Sequence, residues 1–257
     1  MSIKRILEDF KGEKLSLKDA EKELRLLSMS KISNWGNLDM QREYRAGAPE
    51  VVYGEGKKET ELVRLTDALL REKGRCIITR LSEAKMRALA QRFRKKAIHK
   101  NPKAGMVVIK NKGYKLRKTG GRIAVFCAGT SDVPRAEEAV VIAAEMGCEV
   151  YSFYDIGVAG IHRLIPAIEK AVKEDVDAII VAAGMEGALP SVVAGLVDVP
   201  VIGLPTSTGY GFGGKGEAAL YSMLQSCAPG LAAVNIDNGL GAGIIAAIIA
   251  NRAGKFR

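Results

Sequence analysis

The sequence is poor in the residues that most metal and redox chemistry requires. It holds 4 cysteines and 2 histidines in 257 residues. Cys76, Cys127, Cys148 and Cys227 show no CxxC spacing and no neighbouring histidine, so neither a zinc site nor a redox pair is indicated. An export signal is also missing, because Met1-Ser2-Ile3-Lys4-Arg5 leads into an acidic amphipathic stretch with no apolar core or cleavage site. Free thiols in a reducing cytoplasm are therefore expected. Long hydrophobic runs are absent. The apolar stretch 239–250, rich in Gly and Ala, is too short to span a bilayer and predicts a buried helix, with no membrane partner. The chain contains no GxxxxGK[ST] sequence, which excludes a Walker-type phosphate loop.

What remains is a globular composition, 47% hydrophobic and 26% charged. The net charge of +10 is unevenly placed: residues 1–120 hold 30 basic and 15 acidic residues, residues 121–257 hold 9 and 14. Glycine shifts as well, with 9 in the first segment and 19 in the second. Two compositions predict two domains, 1–118 and 119–257, joined across the basic, glycine-punctuated stretch 112–121.

The first domain reads as a small basic α+β module. Helices are predicted after the N-capping Ser16, with Ala20, Leu24 and Leu27 on one face, from Thr60 to Glu72, and from Ser82 to Lys96. Strands are predicted at 50–53, 76–79 and 105–109. The basic run 92–103 has almost no interleaved aromatics and is expected to be a solvated helix face, so no nucleic-acid partner is anticipated.

The second domain is the more regular. Apolar runs begin near Ile123, Glu149, Ala178, Val201 and Ala232, each followed by a helical pattern. Runs of this kind describe strands buried on both faces of a parallel sheet. The fold class is therefore α/β: a three-layer αβα sandwich with a five-stranded parallel sheet, flavodoxin-like in plan. In such sheets the ligand crevice lies at the carboxyl ends of the strands. The loops holding Gly129-Thr130-Ser131-Asp132, Gly184-Met185-Glu186-Gly187 and Pro205-Thr206-Ser207-Thr208 should then converge on one rim.

Each loop also has a plainer reading. Gly129 to Asp132 suits a phosphate at a helix N-terminus or a simple capping turn. The loop 209–216 (GYGFGGKG) resembles a phosphate cradle without the spacing of a dinucleotide fingerprint, and a mobile lid fits it equally. Glu186 can move a proton or merely face a helix N-terminus. His162 follows Gly157, Val158 and Gly160 at the top of the second strand, where histidines are more often structural. Asp237 and Asn238 can bind a hydroxyl or cap a helix. Cys227, at a helix C-terminus, reads locally as a half-buried small hydrophobe.

These residues resemble a known family. Gly129-Thr130-Ser131-Asp132, Ala159-Gly160-Ile161-His162-Arg163, the run 183–190 and Pro200-Val201-Ile202-Gly203-Leu204-Pro205 look like the PurE aminoimidazole ribonucleotide carboxylases. Two departures stand out. Glu186 occupies a loop that in PurE is small-residue and His-containing, and Cys227 is extra. With Arg45-Ala46-Gly47-Ala48-Pro49-Glu50-Val51-Val52-Tyr53-Gly54, these departures resemble the LarB family, the pyridinium-3,5-biscarboxylate mononucleotide synthases of nickel-pincer nucleotide biosynthesis. The resemblance covers most of the chain and is strongest from Gly121 to Gly243.

The resemblance implies carboxylation of nicotinic acid adenine dinucleotide at ring carbon 5, then phosphoanhydride cleavage with loss of AMP. It implies substrate-associated Mg2+, CO2 or bicarbonate as co-substrate, and a homo-oligomer, an octamer in PurE. A thiolate that adds to the pyridinium makes C5 nucleophilic, and its later expulsion restores aromaticity. On this basis Cys227 is the expected nucleophile, Glu186 the proton-transfer base and His162 a helper. Gly129, Thr130, Ser131, Asp132, Gly157, Val158, Arg163, Gly184, Met185, Gly187, Pro205, Thr206, Ser207 and Asp237 are expected to bind substrate. No metal ligand is assigned. The competing readings are a PurE-like carboxylase or mutase and a non-catalytic nucleotide-binding module.

Overall fold

The computed structural model describes residues 3–26, 30–33 and 36–257. They fall into two compact units, Met1–His99 with Val107–Tyr114, and Lys100–Met106 with Lys115–Arg257. Leu27, expected on the apolar face of an N-terminal helix, lies outside the described residues.

The first unit begins with α1 (Ile3–Lys11) and α2 (Leu17–Leu26), then the antiparallel pair β1 (Ser30–Ser33) and β2 (Gly36–Leu38). The five-residue α3 (Arg42–Ala46), β3 (Val51–Tyr53), α4 (Glu59–Lys73), β4 (Arg75–Thr79), α5 (Glu83–Arg92), β5 (Ala97–Asn101) and β6 (Met106–Lys110) follow. A four-stranded sheet runs β3-β4-β6-β5. Leu62, Leu65, Leu69 and Leu70, one stripe of α4, pack with Ile78, Val107 and Ile109 of the sheet. Ser82 caps α5 by accepting the Lys85 N–H, as its hydroxyl predicts.

α5 ends at Arg92, four residues before the expected Lys96. Phe93 is buried, and a turn then reverses the chain into β5. Most of the basic run 92–103 is therefore turn and hairpin, not helix face. Ile98 is half-buried on β5, and His99 and Lys100 are exposed, the lysine being a usual guard of an exposed strand.

The second unit contains β7 (Arg122–Cys127), α6 (Val133–Glu145), β8 (Glu149–Phe153), α7 (Leu164–Lys173), β9 (Ala178–Ala183), α8 (Leu189–Ala194), β10 (Val201–Pro205), α9 (Glu217–Leu224), β11 (Leu231–Ala233) and α10 (Gly239–Ala253). All five strands are parallel, in the order β11-β10-β9-β7-β8. This is the doubly wound flavodoxin-like order. The central strands are buried throughout while β8 and β11 at the edges are half-exposed, which is why only the former read as unbroken apolar runs. Alternate strand residues such as Ala124, Phe126, Ile179 and Val181 pack on Leu164 and Ala167 of α7, Val193 of α8 and Met223 of α9. The opposite face is covered by α6 and α10.

α10 buries Gly239, Ala242, Gly243, Ala246, Ala247 and Ala250, and α6 is its main partner. The small-residue side of this helix packs against its own chain, as the buried helix read from the sequence requires. No helix among the described residues is long and apolar enough to cross a membrane.

Candidate active site

β7 leads to β8 on one side and, through the α7 crossover, the chain returns as β9 on the other. The sheet order thus reverses between β7 and β9, and a crevice must open above their carboxyl ends because the following loops leave in opposite directions. A cleft of about 360 Å³ occupies this place. Its walls are Ala128 to Asp132 after β7, Asp155 with Gly157 to Ala159 after β8, and Ala183 to Glu186 with Ala188 and Leu189 after β9. Thr208, after β10, closes one side.

The loops are bound to one another. The Asp132 carboxylate is buried and accepts hydrogen bonds from the Gly129 N–H at 3.0 Å and from the buried Thr206 hydroxyl at 2.5 Å. Thr208 accepts the Met185 N–H at 2.9 Å and donates its hydroxyl to the Ser131 carbonyl at 3.3 Å. Gly184 permits this closeness, since a Cβ there would stand 2.2 Å from the Thr208 oxygen. At Gly187, φ is +62° and a Cβ would meet the Ala219 Cα at 2.6 Å, so the turn into α8 requires glycine twice over.

Four non-glycine residues on these strand-end loops have left-handed backbone: Asp155 (φ 57), Met185 (φ 50), Lys215 (φ 63) and Asp237 (φ 59). Each costs about 1–2 kcal/mol relative to ordinary backbone, and strain of this kind collects where loops serve a site rather than the core.

The charge of the cleft is one-sided. Asp132, Asp155 and Glu186 line it, and among the described residues no lysine, arginine, histidine or aromatic side chain does. The thiol of Cys127, which donates to the Gly129 carbonyl at 3.1 Å, is pushed up to about 12, first by burial and then by Asp132, Glu137 and Asp155. Asp132 is buried, whereas Asp155 and Glu186 are exposed and Asp155 is paired with Arg163; the carboxylates together still favour a cation over an anion at the cleft.

The expected residues sort into three groups. Gly129, Thr130, Ser131, Asp132, Gly157, Val158, Gly184, Met185 and Glu186 line the cleft. Gly187, Thr206, Ser207, Asp237 and Arg163 shape its surroundings. Asp237 accepts both the Ser207 N–H (2.9 Å) and hydroxyl (2.6 Å) and pairs with Arg135, so Ser207 and Asp237 are occupied with each other. Arg163 pairs with Asp155 at 2.6 Å, and Pro205 ends β10. The third group is away from the lining: His162 is exposed on a 3-10 turn, and Cys227 is exposed beyond the end of α9.

The thiol's bend is fastened in place. The Ser226 hydroxyl accepts the Ala228 N–H at 3.1 Å and lies 2.8 Å from the Ser191 hydroxyl on α8. The other three cysteines are buried, and burial raises Cys76 to about 12 and Cys148 to about 11. Only Cys227 presents its sulfur to solvent. Sequence reasoning missed Asp155, which follows β8 between Tyr154 and Ile156, although Gly157 two positions on was singled out. Among the described residues, no group of three or more His, Cys, Asp or Glu side chains is placed to hold a metal ion.

Comparison with known proteins adds to this geometry. The AIR carboxylase family matches residues 122–255, and the LarB/PurE-like N-terminal domain matches residues 30–111. An uncharacterized protein of Methanocaldococcus jannaschii is 44% identical over 254 residues, 97% of each chain. The N5-carboxyaminoimidazole ribonucleotide mutase of the same organism is 37% identical over 127 residues, 48% of this chain and 75% of that one. The corresponding mutase of Thermotoga maritima is 32% identical over 135 residues, 50% of this chain and 74% of that one.

Proposed function

The chain belongs to the AIR carboxylase family and carries a LarB/PurE-like N-terminal domain, an enzyme of carboxylase type, and from that premise we propose that it carboxylates a pyridine dinucleotide. The substrate is nicotinic acid adenine dinucleotide, with CO2 or bicarbonate as co-substrate. Water cleaves the phosphoanhydride, and the products are pyridinium-3,5-biscarboxylate mononucleotide and AMP. The observation that carries this reading is the acidic cleft: three carboxylates line it, of which Asp155 is paired with Arg163 outside the lining, and no cationic side chain lines it among the described residues. A permanently charged pyridinium ring suits that field. At about 5 Å and an effective dielectric of about 20, one carboxylate favours it by roughly 3 kcal/mol before desolvation. An uncharged imidazole gains nothing comparable.

In this mechanism the Cys227 thiolate adds to the ring at C4 or C6, giving an enamine-like dihydropyridine. Its C5 attacks CO2, Glu186 takes the C5 proton, and the electron pair of that C–H bond expels the sulfur and restores the aromatic ring. The amides and hydroxyls of Thr130 and Ser131 hold ribose or phosphate. Magnesium enters only as a counter-ion of the pyrophosphate, and no step depends on it here. Since Ser226 fastens the bend that carries Cys227, the reading has the thiol delivered to the cleft of a second copy in a homo-oligomer.

Incubation with the dinucleotide, bicarbonate and magnesium should yield a mononucleotide heavier by one carboxyl group, read by mass. Cys227→Ser and Glu186→Gln should each abolish it, and co-assembled mixtures of the two variants should recover part of it. Full product from Cys227→Ser removes the covalent step. Turnover of aminoimidazole ribonucleotide with bicarbonate, or of N5-carboxyaminoimidazole ribonucleotide, instead of the dinucleotide establishes the PurE-like carboxylase or mutase alternative; the two mutase relatives favour the latter form.

A further inference from the structure

The glycine-rich loop 209–216 supplies what the cleft lacks. Five of its eight residues are glycine, and the other three are Tyr210, Phe212 and Lys215. Tyr210 is 83% exposed and Phe212 fully so, an arrangement that leaves two large apolar surfaces in water. Exposed aromatic faces of this kind are free to stack on a base.

Both ends of the loop are fixed at the cleft. At one end, Thr208 lines it and is bonded to Met185 and Ser131. At the other, Gly216 lies against the Thr206 carbonyl, where a Cβ would stand at 2.8 Å. The closed ends and free middle are those of a compact surface loop. Its greatest reach from the rim is about 13 Å, from four residues on each arm at up to ~3.3 Å per residue.

The cleft volume of about 360 Å³ is near the lower limit of ligand pockets, ~300–1,000 Å³. It accommodates one nucleotide half. The second base and the phosphates of a dinucleotide must then lie outside its mouth, within the arc of the loop.

We propose that Tyr210 and Phe212 stack on the second, purine base of the dinucleotide and that Lys215 faces its pyrophosphate, making this loop the element that distinguishes dinucleotide from mononucleotide. The inference rests on the pyridine-dinucleotide reading above. The cleft grips the cationic ring, and the loop grips the half that leaves after phosphoanhydride cleavage. Base–aromatic stacking is sequence-tolerant and strong enough to decide affinity, and a lysine on a glycine-flanked turn can follow a phosphate as a point charge.

The test is calorimetric titration of the full chain with nicotinic acid adenine dinucleotide and, separately, with nicotinic acid mononucleotide. The double variant Tyr210→Ala/Phe212→Ala should weaken dinucleotide binding about tenfold or more and leave mononucleotide binding within twofold. Lys215→Gln should weaken the dinucleotide alone and flatten the salt dependence of its binding. As a second readout, Tyr210→Trp should change its fluorescence on adding dinucleotide but not mononucleotide. Equal loss for both ligands, or no loss for either, overturns the loop proposal and leaves the functional reading intact. Binding of neither nucleotide by the unmodified protein overturns both.

Discussion

The tie between Asp132 and Thr206 joins the loop after β7 to the end of β10, and its contribution can be worked out. Asp132 is 4% exposed and Thr206 fully buried, so water cannot replace either partner. The carboxylate accepts from the Thr206 hydroxyl and from the Gly129 amide. Hydrogen bonds to a charged group contribute about 1.5–3 kcal/mol each. Asp132→Ala should therefore cost about 3–6 kcal/mol, and the nearly isosteric Thr206→Val about 1.5–3. The double variant loses the shared bond only once. A double-mutant cycle should then return a coupling of about 2 kcal/mol, equivalent to roughly 4–8 °C in Tm for a chain of this size. Denaturant unfolding followed by circular dichroism supplies the four stabilities. Asp132→Ala should also weaken binding of any ligand held by Thr130 and Ser131, whose loop it anchors. A coupling below about 0.5 kcal/mol would refute the claim that this pair holds the cleft together.

The buried thiols make two further outcomes measurable. At pH 8, groups titrating at about 11 to 12 carry thiolate fractions of roughly 10⁻³ to 10⁻⁴. Iodoacetamide should then add one label to the folded protein, at Cys227, and four to the denatured chain; a second label at a comparable rate contradicts the burial argument. Stability should also fall at alkaline pH. The unfolded chain ionises these thiols near their ordinary 9.0 while the folded one holds their protons to about 11 or 12. Below pH 9 the contribution is complete, and it is lost as pH rises through the folded values. Between pH 10 and 11, Cys127→Ala should show a slope shallower by about 1.4 kcal/mol per pH unit. Parallel curves for variant and wild type count against the assigned shift.

The second unit was legible because its central strands are buried on both faces. Ile123 to Cys127 and Ala178 to Ala183 then have no reason to alternate, and the polar loop after each run stands out. Helix ends were less so: α8 stops at Ala194, where Gly195 follows. In the first unit, β5 was hidden within a basic run, and the short β1, β2 and α3 have too few residues for any period to register. At the site, glycine and hydroxyl clusters marked the walls correctly. Asp155 was passed over beside Gly157, and the mutual pairing of Ser207 with Asp237 depends on two loops 30 residues apart meeting in space. Spacing alone could not tell whether Cys227 would join its own cleft, since that depends on where α9 ends.

The short α8 has a mechanical consequence. Leu189 at its start is part of the cleft wall, and Ser191, two positions on in the same turn, is latched to Ser226 beside the exposed sulfur. A guest molecule that displaced Leu189 would load the bend that carries Cys227 through this hydrogen bond. Occupancy at one end of a single helical turn would then be felt, as by a lever, at the exposed sulfur at the other.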